Sequence, residues 1–345
     1  MAVVIKDIAA AAGVSRGTVD RVLHNRAGVN PEVAQRVRRI ADELGFVPNM
    51  AGKILAARKQ PIQIGCLLPD IGNPFFDDII AGFHRAEKEL QDFGVSLHIE
   101  HIKGFDTETH IRAIQKLTAL QLSGLCIATV DVPEIQYAVQ KLIGSGIPVI
   151  SVNTDIPDTE RLCYVGPDYA SGGETAAGLI SLMTQNELRI LIVTGSFHIR
   201  GHNERVNGFI QGLQKRARPY TVMCTFESLD DDTHAYKKTL EALQKYPSVN
   251  CIFIAAAGVE GVCKAVRESN LKSAERKKPH ILSFDDIPAT KCLVKEGFID
   301  FTICQEPDRQ GYTAVSKLFS YLMDGKKRKP QDCITAAIIK IKENI

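Results

Sequence analysis

The chain opens with apolar positions at helical spacing. In residues 5–12 the apolar side chains recur on one helix face, and Gly13, which tolerates a tight turn, follows them. The same spacing resumes in residues 19–23, behind Ser15, a residue type that favours the position just before a helix. Two short helices joined by a turn are therefore predicted.

A third helix is predicted directly afterwards. Asn30 is a capping residue, Pro31 suits the first helical position, and Gly45 marks the end. The three helices form an all-α domain over residues 1–48. The pattern favours a helix-turn-helix, whose second helix enters the DNA major groove, although an ordinary solvent-exposed bundle would share it.

From residue 61 onward, apolar runs of strand length alternate with helical patterns. This alternation predicts an α/β core of two doubly wound parallel sheets covered by helices. The predicted strands are 62–68, 95–99, 125–128, 148–152, 190–193, 222–226, 251–254, 280–284 and 301–304.

Charge separates the two regions. Residues 1–60 carry ten Lys and Arg against five Asp and Glu, a net charge of +5, whereas the whole chain carries only +2 and the remainder −3. Only the first region is electrostatically suited to a phosphate backbone.

The sequence lacks the residue patterns that several classes of protein require. No nucleophile stands beside a base at the spacing of a recognisable catalytic motif. Two histidine pairs, His98 with His101 and His198 with His202, lack the third ligand of a metal site. The nine cysteines contain no C-x-x-C pair. The N-terminus resembles no export signal, and no apolar run approaches the ~18 residues of a membrane span. We therefore expect a cytoplasmic protein that is not an enzyme, with no cofactor, metal or membrane partner.

The order D-I-A-x-x-A-G-V-S-x-x-T-V-x-R-V-L, at residues 7–23, closely resembles the headpiece of the lac repressor family of bacterial transcription regulators. Asp20 stands where the family usually has serine, and His24 where asparagine is common, so the family's base preferences are not carried over. The resemblance implies Arg21 as the guanine reader and the following DNA contacts: Ser15, Arg16, Gly17, Thr18, Arg21 and Asn25.

Residues 49–60 are predicted to be a hinge segment. They are too short to form a stable helix alone, so we expect a helix only on DNA. The resemblance implies that Leu55 wedges into the minor groove, whereas a plain linker with a buried leucine is the alternative.

The core resembles the ribose-type periplasmic binding proteins over residues 61–335. The resemblance implies three chain crossings between two lobes and a ligand site at the carboxyl ends of the strands. One lobe would comprise residues 61–152 and 306–335, and the other residues 153–305 and 336–345.

Polar and aromatic residues near the predicted strand ends align with that family's ligand contacts. Phe rings suit the C–H face of a sugar, while amide and charged groups suit its hydroxyls, although such residues also cap helices or fill cores. Residues 255–258 depart from the family, which usually has an Asn-Asp pair there. The predicted effector-binding residues are Asn73, Phe75, Phe76, Asp131, Asn153, Arg205, Asp285 and Gln305.

Together these features predict a transcriptional regulator, most simply a repressor, that binds operator DNA as a homodimer and responds to a small sugar or polyol. The alternative is a sugar-binding receptor with no regulatory role. The sequence leaves open the effector's identity, the sign of its effect and the choice between dimer and tetramer.

Overall fold

A computed structural model describes residue 3 and residues 5–23, 28–44, 61–271 and 277–345. The chain divides into two compact units. We call them the headpiece, which holds residues 1–61 together with 92–94, and the core, which holds residues 62–91 and 95–345.

Three helices shape the headpiece, as the apolar spacing predicted. They are α1 (Ile5–Ala12), α2 (Arg16–Leu23) and α3 (Pro31–Glu43). Each helix contributes to one apolar cluster, whose buried members are Ile8, Ala9, Ala12, Val19, Val22, Val37 and Ala41. The core of this unit is small, so its helices depend on packing against one another.

The turns and caps of the headpiece follow the sequence signals. Gly13 has a φ of 63°, in the left-handed region that glycine tolerates. The Ser15 hydroxyl accepts a hydrogen bond from the backbone N–H of Thr18 at 3.1 Å, and the Asn30 side chain caps α3 in the same way. Leu44 is 41% exposed because it lies beyond the last turn of α3.

The core alternates strands and helices along the chain. Its strands are β1 (Ile62–Leu68), β2 (Val95–His101), β3 (Gly124–Ile127), β4 (Val149–Val152), β5 (Cys163–Pro167), β6 (Leu188–Thr194), β7 (Tyr220–Glu227), β8 (Cys251–Ile254), β9 (His280–Phe284), β10 (Phe301–Cys304), β11 (Cys333–Thr335) and β12 (Ile338–Lys340). Its helices are α4 (Phe75–Leu90), α5 (Thr107–Thr118), α6 (Pro133–Gly144), α7 (Tyr169–Met183), α8 (Arg200–Lys215), α9 (Asp232–Lys245), α10 (Val259–Leu271), α11 (Pro288–Lys295) and α12 (Pro307–Met323), and a short 3₁₀ turn (Gln91–Phe93) follows α4.

The strands form two six-stranded sheets, one in each lobe. Their orders are β11-β5-β4-β3-β1-β2 in lobe 1 and β12-β10-β9-β8-β6-β7 in lobe 2. The chain crosses between the lobes three times, after β5, after β10 and after β11, as expected. The pairing is parallel except for β12, which runs antiparallel to β10.

One predicted lobe boundary is wrong. We expected the first crossing near residue 152, but β5 pairs with β4 in parallel and so belongs to lobe 1. The first crossing therefore lies between Pro167 and Tyr169, where α7 begins. The pattern also missed β5, β11 and β12 as strands.

Close helix packing in lobe 2 fixes the position of Arg205. Helices α7 and α8 approach so closely that a Cβ atom added to Gly173 would lie 2.1 Å from the carbonyl oxygen of Arg205. A Cβ at Gly208 would lie equally near the carbonyl oxygen of Ala170. Only glycine permits this contact, and it holds the backbone of Arg205 against the start of α7.

No helix within the described ranges combines the length and the apolar composition that a bilayer crossing requires.

Candidate ligand-binding site and nucleic-acid interface

A small cavity lies between the two lobes of the core, where strands of both sheets end. Its volume is about 50 Å³. It is lined by Pro69, Asn73, Phe75, Phe76, Phe105, Asn153, Thr154, Tyr169, Ile199, His202, Arg205, Asp230, Ala256, Ala257, Asp285 and Gln305. A second groove, with a volume of about 730 Å³, lies between α5 and α6 on the outside of lobe 1 and is mostly apolar.

Seven of the eight predicted effector residues meet at this cavity. Three of them, Asn153, Asp285 and Gln305, come directly after β4, β9 and β10, so the ends of parallel strands carry them to one place. Phe75 and Phe76 begin α4, and their rings lie edge to face with centroids 5.3 Å apart.

Asp131, the eighth predicted effector residue, does not line this cavity. Its carboxylate accepts a hydrogen bond from Gln136 at 2.9 Å and lies 3.6 Å from the guanidinium of Arg200, in lobe 2. Its backbone N–H also donates to the carbonyl oxygen of His198, in the same lobe. Asp131 thus bridges the two lobes beside the cavity.

Arg205 is the cation of the site, and it is only 3% exposed. Its guanidinium carbon lies 3.9 Å from the ring centroid of Phe284 and 4.8 Å from that of Tyr169. One terminal nitrogen donates to the carbonyl oxygen of Ala255 at 2.7 Å. The two rings and this bond hold the planar group in one orientation.

A chain of amides connects the two lobes behind the cavity. The side-chain amide of Gln305 donates to Asp285 Oδ1 at 2.7 Å. The side-chain amide of Gln310 donates to the backbone carbonyl oxygen of Gln305. The Asn153 amide in turn donates to Gln310 Oε1 at 3.2 Å. Asn153 and Asp285 both have positive φ angles, 62° and 65°, which Asn and Asp tolerate better than most residues.

Sequence reasoning missed Asp230, which lies in the loop after β7. Its Oδ2 accepts from the Asn73 amide of lobe 1 at 3.0 Å, and its Oδ1 accepts from the backbone N–H of Ala257 at 3.3 Å. This carboxylate therefore lies beside the alanines that replace the family's usual polar pair. The run of three acidic residues at 230–232, directly after a predicted strand, was a signal that could have identified it.

His202 was also missed, and it serves the site as a neutral group. It accepts a hydrogen bond at Nδ1 from the backbone N–H of Ser196 at 3.1 Å, so its proton belongs on Nε2. Burial, followed by the nearby Arg205 charge, lowers its pKa to about 3. Phe105 of lobe 1 packs edge to face against its ring.

Both carboxyl groups of the site, those of Asp230 and Asp285, are half-buried and costly to ionise. Burial raises the pKa of Asp230 to about 6 and that of Asp285 to about 6, although Arg205 lowers both. Such perturbed groups concentrate at functional sites.

Three buried polar atoms of lining residues find no partner among the described residues. They are Arg205 Nε, Gln305 Oε1 and Thr154 Oγ1. An unpaired buried polar group costs about 1–3 kcal/mol, so a ligand with donors and acceptors would recover energy by pairing with them.

In the headpiece, α2 carries the predicted DNA-contacting residues on its outer side. Arg16, Gly17 and Arg21 are exposed, while Thr18 is half-buried. Ser15 is exposed too, but its hydroxyl already caps α2. Asn25, Leu55 and the predicted hinge helix lie outside the described residues.

Two family profiles match the chain. Residues 4–49 match bacterial regulatory proteins of the lacI family, and residues 64–327 match the periplasmic binding protein domain. The chain therefore joins a lacI-family domain to a core that belongs to the periplasmic binding protein domain family. These two matches confirm the predicted fold class and the prediction of a regulator rather than an enzyme.

Similar proteins agree with this architecture. Over 293 residues, this chain is 28% identical to the ribose operon repressor of Bacillus subtilis (strain 168), an alignment that covers 84% of this chain and 83% of that one. It is 27% identical over 220 residues to the HTH-type transcriptional regulator DegA of the same strain, with coverages of 64% and 63%. Its fold is similar to the crystal structure of a glucose-galactose binding protein from Geobacillus stearothermophilus, with a TM-score of 0.75 and 25% identity over 83% of this chain and 99% of that one.

Proposed function

We propose that this protein is a sequence-specific DNA-binding regulator, most simply a repressor, whose operator affinity is controlled by a small sugar or polyol bound between the lobes of its core. The observation that carries the proposal is the union, in one chain, of a lacI-family headpiece and a core whose interlobe cavity collects buried polar groups from strand ends. The repressor and the sugar-binding protein similar to this chain support both halves.

The headpiece would read DNA through α2. Arg16 and Arg21 are exposed on this helix, and arginine binds the O6 and N7 atoms of guanine bidentately. The net charge of +5 in residues 1–60 supplies the attraction to phosphates, so binding weakens as salt is added. Asn25 and Leu55 remain predicted contacts.

The cavity would bind a small polyol. Phe75 and Phe76 offer apolar ring surface, while Arg205 Nε, Gln305 Oε1 and Thr154 Oγ1 offer unpaired hydrogen-bonding atoms. A sugar presents both kinds of surface. The cavity's volume of about 50 Å³ is far below the roughly 300 Å³ of common small-molecule sites, so the lobes must separate for a sugar to enter.

Lobe movement would couple the ligand to DNA. A ligand that prefers one arrangement of the lobes shifts the population toward it, and the coupling free energy is typically 1–3 kcal/mol. The same lobe movement could either release the operator or tighten binding to it. The experiment below determines whether the sugar weakens or strengthens operator binding. We further propose a cytoplasmic homodimer, because two-fold symmetry matches two operator half-sites.

The proposal is tested with DNA from upstream of the protein's own gene. Fluorescence anisotropy should show specific binding that weakens steeply with salt, and a thermal-shift screen of pentoses, hexoses and inositols should show stabilisation of the core. A sugar-induced shift without any DNA binding would contradict the regulator and leave the receptor function.

A further inference from the structure

We propose that the interlobe cavity selects uncharged polyols and rejects sugar phosphates and sugar acids, because two half-buried carboxylates, Asp230 and Asp285, face it together with a single guanidinium. This inference rests on the proposed sugar-sensing function and specifies its ligand class.

The charged groups that line the cavity do not favour an anion. They are Asp230, Asp285 and Arg205, and His202 is neutral because burial lowers its pKa to about 3. With both carboxylates ionised, the site carries a net charge of −1. A phosphate dianion would add like charge at short range in a desolvated space, where such repulsion is strong.

Arg205 is also poorly placed to neutralise a phosphate. One of its terminal nitrogens already donates to the carbonyl oxygen of Ala255, and its guanidinium carbon lies over the rings of Phe284 and Tyr169. The unpaired atom is Nε. A free Nε–H suits one hydroxyl or ring oxygen of a sugar, whereas phosphate recognition usually employs a bidentate fork.

Helix N-termini at the cleft could bind an anion in principle, but a side chain occupies one backbone donor on each of three helices. Asn73 Oδ1 accepts from the first N–H of α4, that of Phe75, at 3.2 Å, and Asp168 caps α7. The carboxylate of Asp232 accepts from Gly261 N in the first turn of α10 at 2.9 Å. These donors are therefore not available to a phosphate.

The two carboxylates are well placed to accept hydroxyl groups. Asp230 is held by one bond at each oxygen, which leaves a lone pair on each for a further donor. Asp285 is held at Oδ1 by Gln305, and no described residue donates to its Oδ2. Hydroxyl donors from a polyol would stabilise the ionised forms, which burial otherwise disfavours.

The test compares matched compounds by thermal shift of the full-length protein at pH 7.5. The pairs are D-ribose with D-ribose 5-phosphate, D-glucose with D-glucose 6-phosphate, and myo-inositol with myo-inositol 1-phosphate, and D-gluconate serves as the sugar acid. We expect at least one unphosphorylated compound to raise Tm. Its phosphate should need a concentration at least about 100 times higher for the same shift. A phosphate or gluconate that binds as tightly as its free partner would overturn the inference.

Two isosteric variants test the cause of the selectivity. Asp230→Asn and Asp285→Asn should each weaken binding of the free polyol and reduce the preference over its phosphate to below about tenfold, since each removes one repelling charge. The matched control is Asp77→Asn, an exposed residue in the first turn of α4, which should leave the preference unchanged. An unchanged preference in both cavity variants would overturn the inference. No shift with any compound, while operator binding persists, would overturn the sugar-sensing function itself.

Discussion

The headpiece and the interlobe cavity present their functional groups in opposite ways. Arg16 and Arg21 are exposed on a short helix, whereas Arg205 is 3% exposed and its guanidinium carbon lies over the rings of Phe284 and Tyr169. An exposed arginine costs the fold little and is ready for a large, highly charged partner. A buried arginine must be held by the fold, and its charge changes the ionisation of its neighbours. The two regions should therefore respond differently to mutation, pH and salt.

The largest effect is expected from Arg205→Ala. It removes the hydrogen bond to Ala255 and the contacts with Phe284 and Tyr169, so the core should lose about 2–4 kcal/mol of stability, and the sugar-induced thermal shift should vanish. Calorimetry with and without sugar measures both. Arg112→Ala, an exposed arginine of α5 paired with Glu108, is the control and should change stability by less than about 0.5 kcal/mol. A retained shift in Arg205→Ala would remove this residue from the site.

Asp285→Asn should reveal the cost of ionising this half-buried carboxyl group. Because the folded protein raises the pKa of Asp285 to about 6, above the usual value of about 3.9, the stabilising effect of its protonated form is complete below pH 4 and is lost as pH rises through 6. The sugar-free variant should match the natural protein near pH 4 and be more stable at pH 7.5, by about 1–3 kcal/mol.

Thermal unfolding from pH 4 to pH 8 measures this difference. Asn retains the acceptor for Gln305 and tolerates the φ of 65°, so the fold should survive. The exposed control Asp77→Asn should show no such pH-dependent difference. If Asp285→Asn were destabilising at pH 7.5, Asp285 would be a structural carboxylate rather than a strained ligand group.

In the headpiece, Arg21→Ala should change DNA binding without changing stability or the sugar response. Loss of a base contact is expected to weaken specific operator binding by about 1–3 kcal/mol while leaving Tm and the sugar response unchanged, because the side chain is exposed. Anisotropy titrations against operator and unrelated DNA measure the specificity. Arg39→Ala, an exposed arginine of α3, is the control and should preserve the specificity ratio. An equal loss on both DNAs for Arg21→Ala would assign it to phosphate binding.

Asp131→Asn should have the smallest effect. It distinguishes a residue that connects the two lobes from one that contacts the ligand. A partly exposed ion pair with Arg200 contributes about 0–1 kcal/mol, so sugar affinity should change by less than about fivefold and by the same factor for every sugar bound. Isothermal titration with two different sugars measures this factor. A loss that depends on the sugar's stereochemistry would restore Asp131 as a direct contact.

The sequence predicted the headpiece and most of the sheets because periodic burial has a local signal. Helix spacing, Ser15, Asn30 and Gly13 all act within a few residues, and each behaves as its chemistry requires. Strand β5 escaped prediction because Gly166 and Pro167 at its end are typical of turns. Strands β11 and β12 have only three residues each, too few to show a period.

A site residue could be predicted from the sequence only where it directly follows a strand, because the strand then carries that residue to the cavity. Asn153, Asp285 and Gln305 immediately follow their strands and reach the cavity, whereas Asp131 lies four residues beyond β3 and contacts the other lobe instead. Asp230 pairs with Asn73, 157 residues away in sequence, so no local pattern could establish its place in the site. Long-range pairing of this kind becomes visible only in the folded chain.

Operator binding measured as a function of sugar tests the central claim most directly. The monosaccharide that gives the largest thermal shift is titrated into the natural protein, Arg205→Ala and Arg21→Ala, and the Kd for operator DNA is followed by anisotropy. We predict a sugar-dependent change of about 5–150-fold in the natural protein and none in Arg205→Ala, which should still bind the operator. An operator Kd that stays constant while the sugar saturates the natural protein would contradict the account.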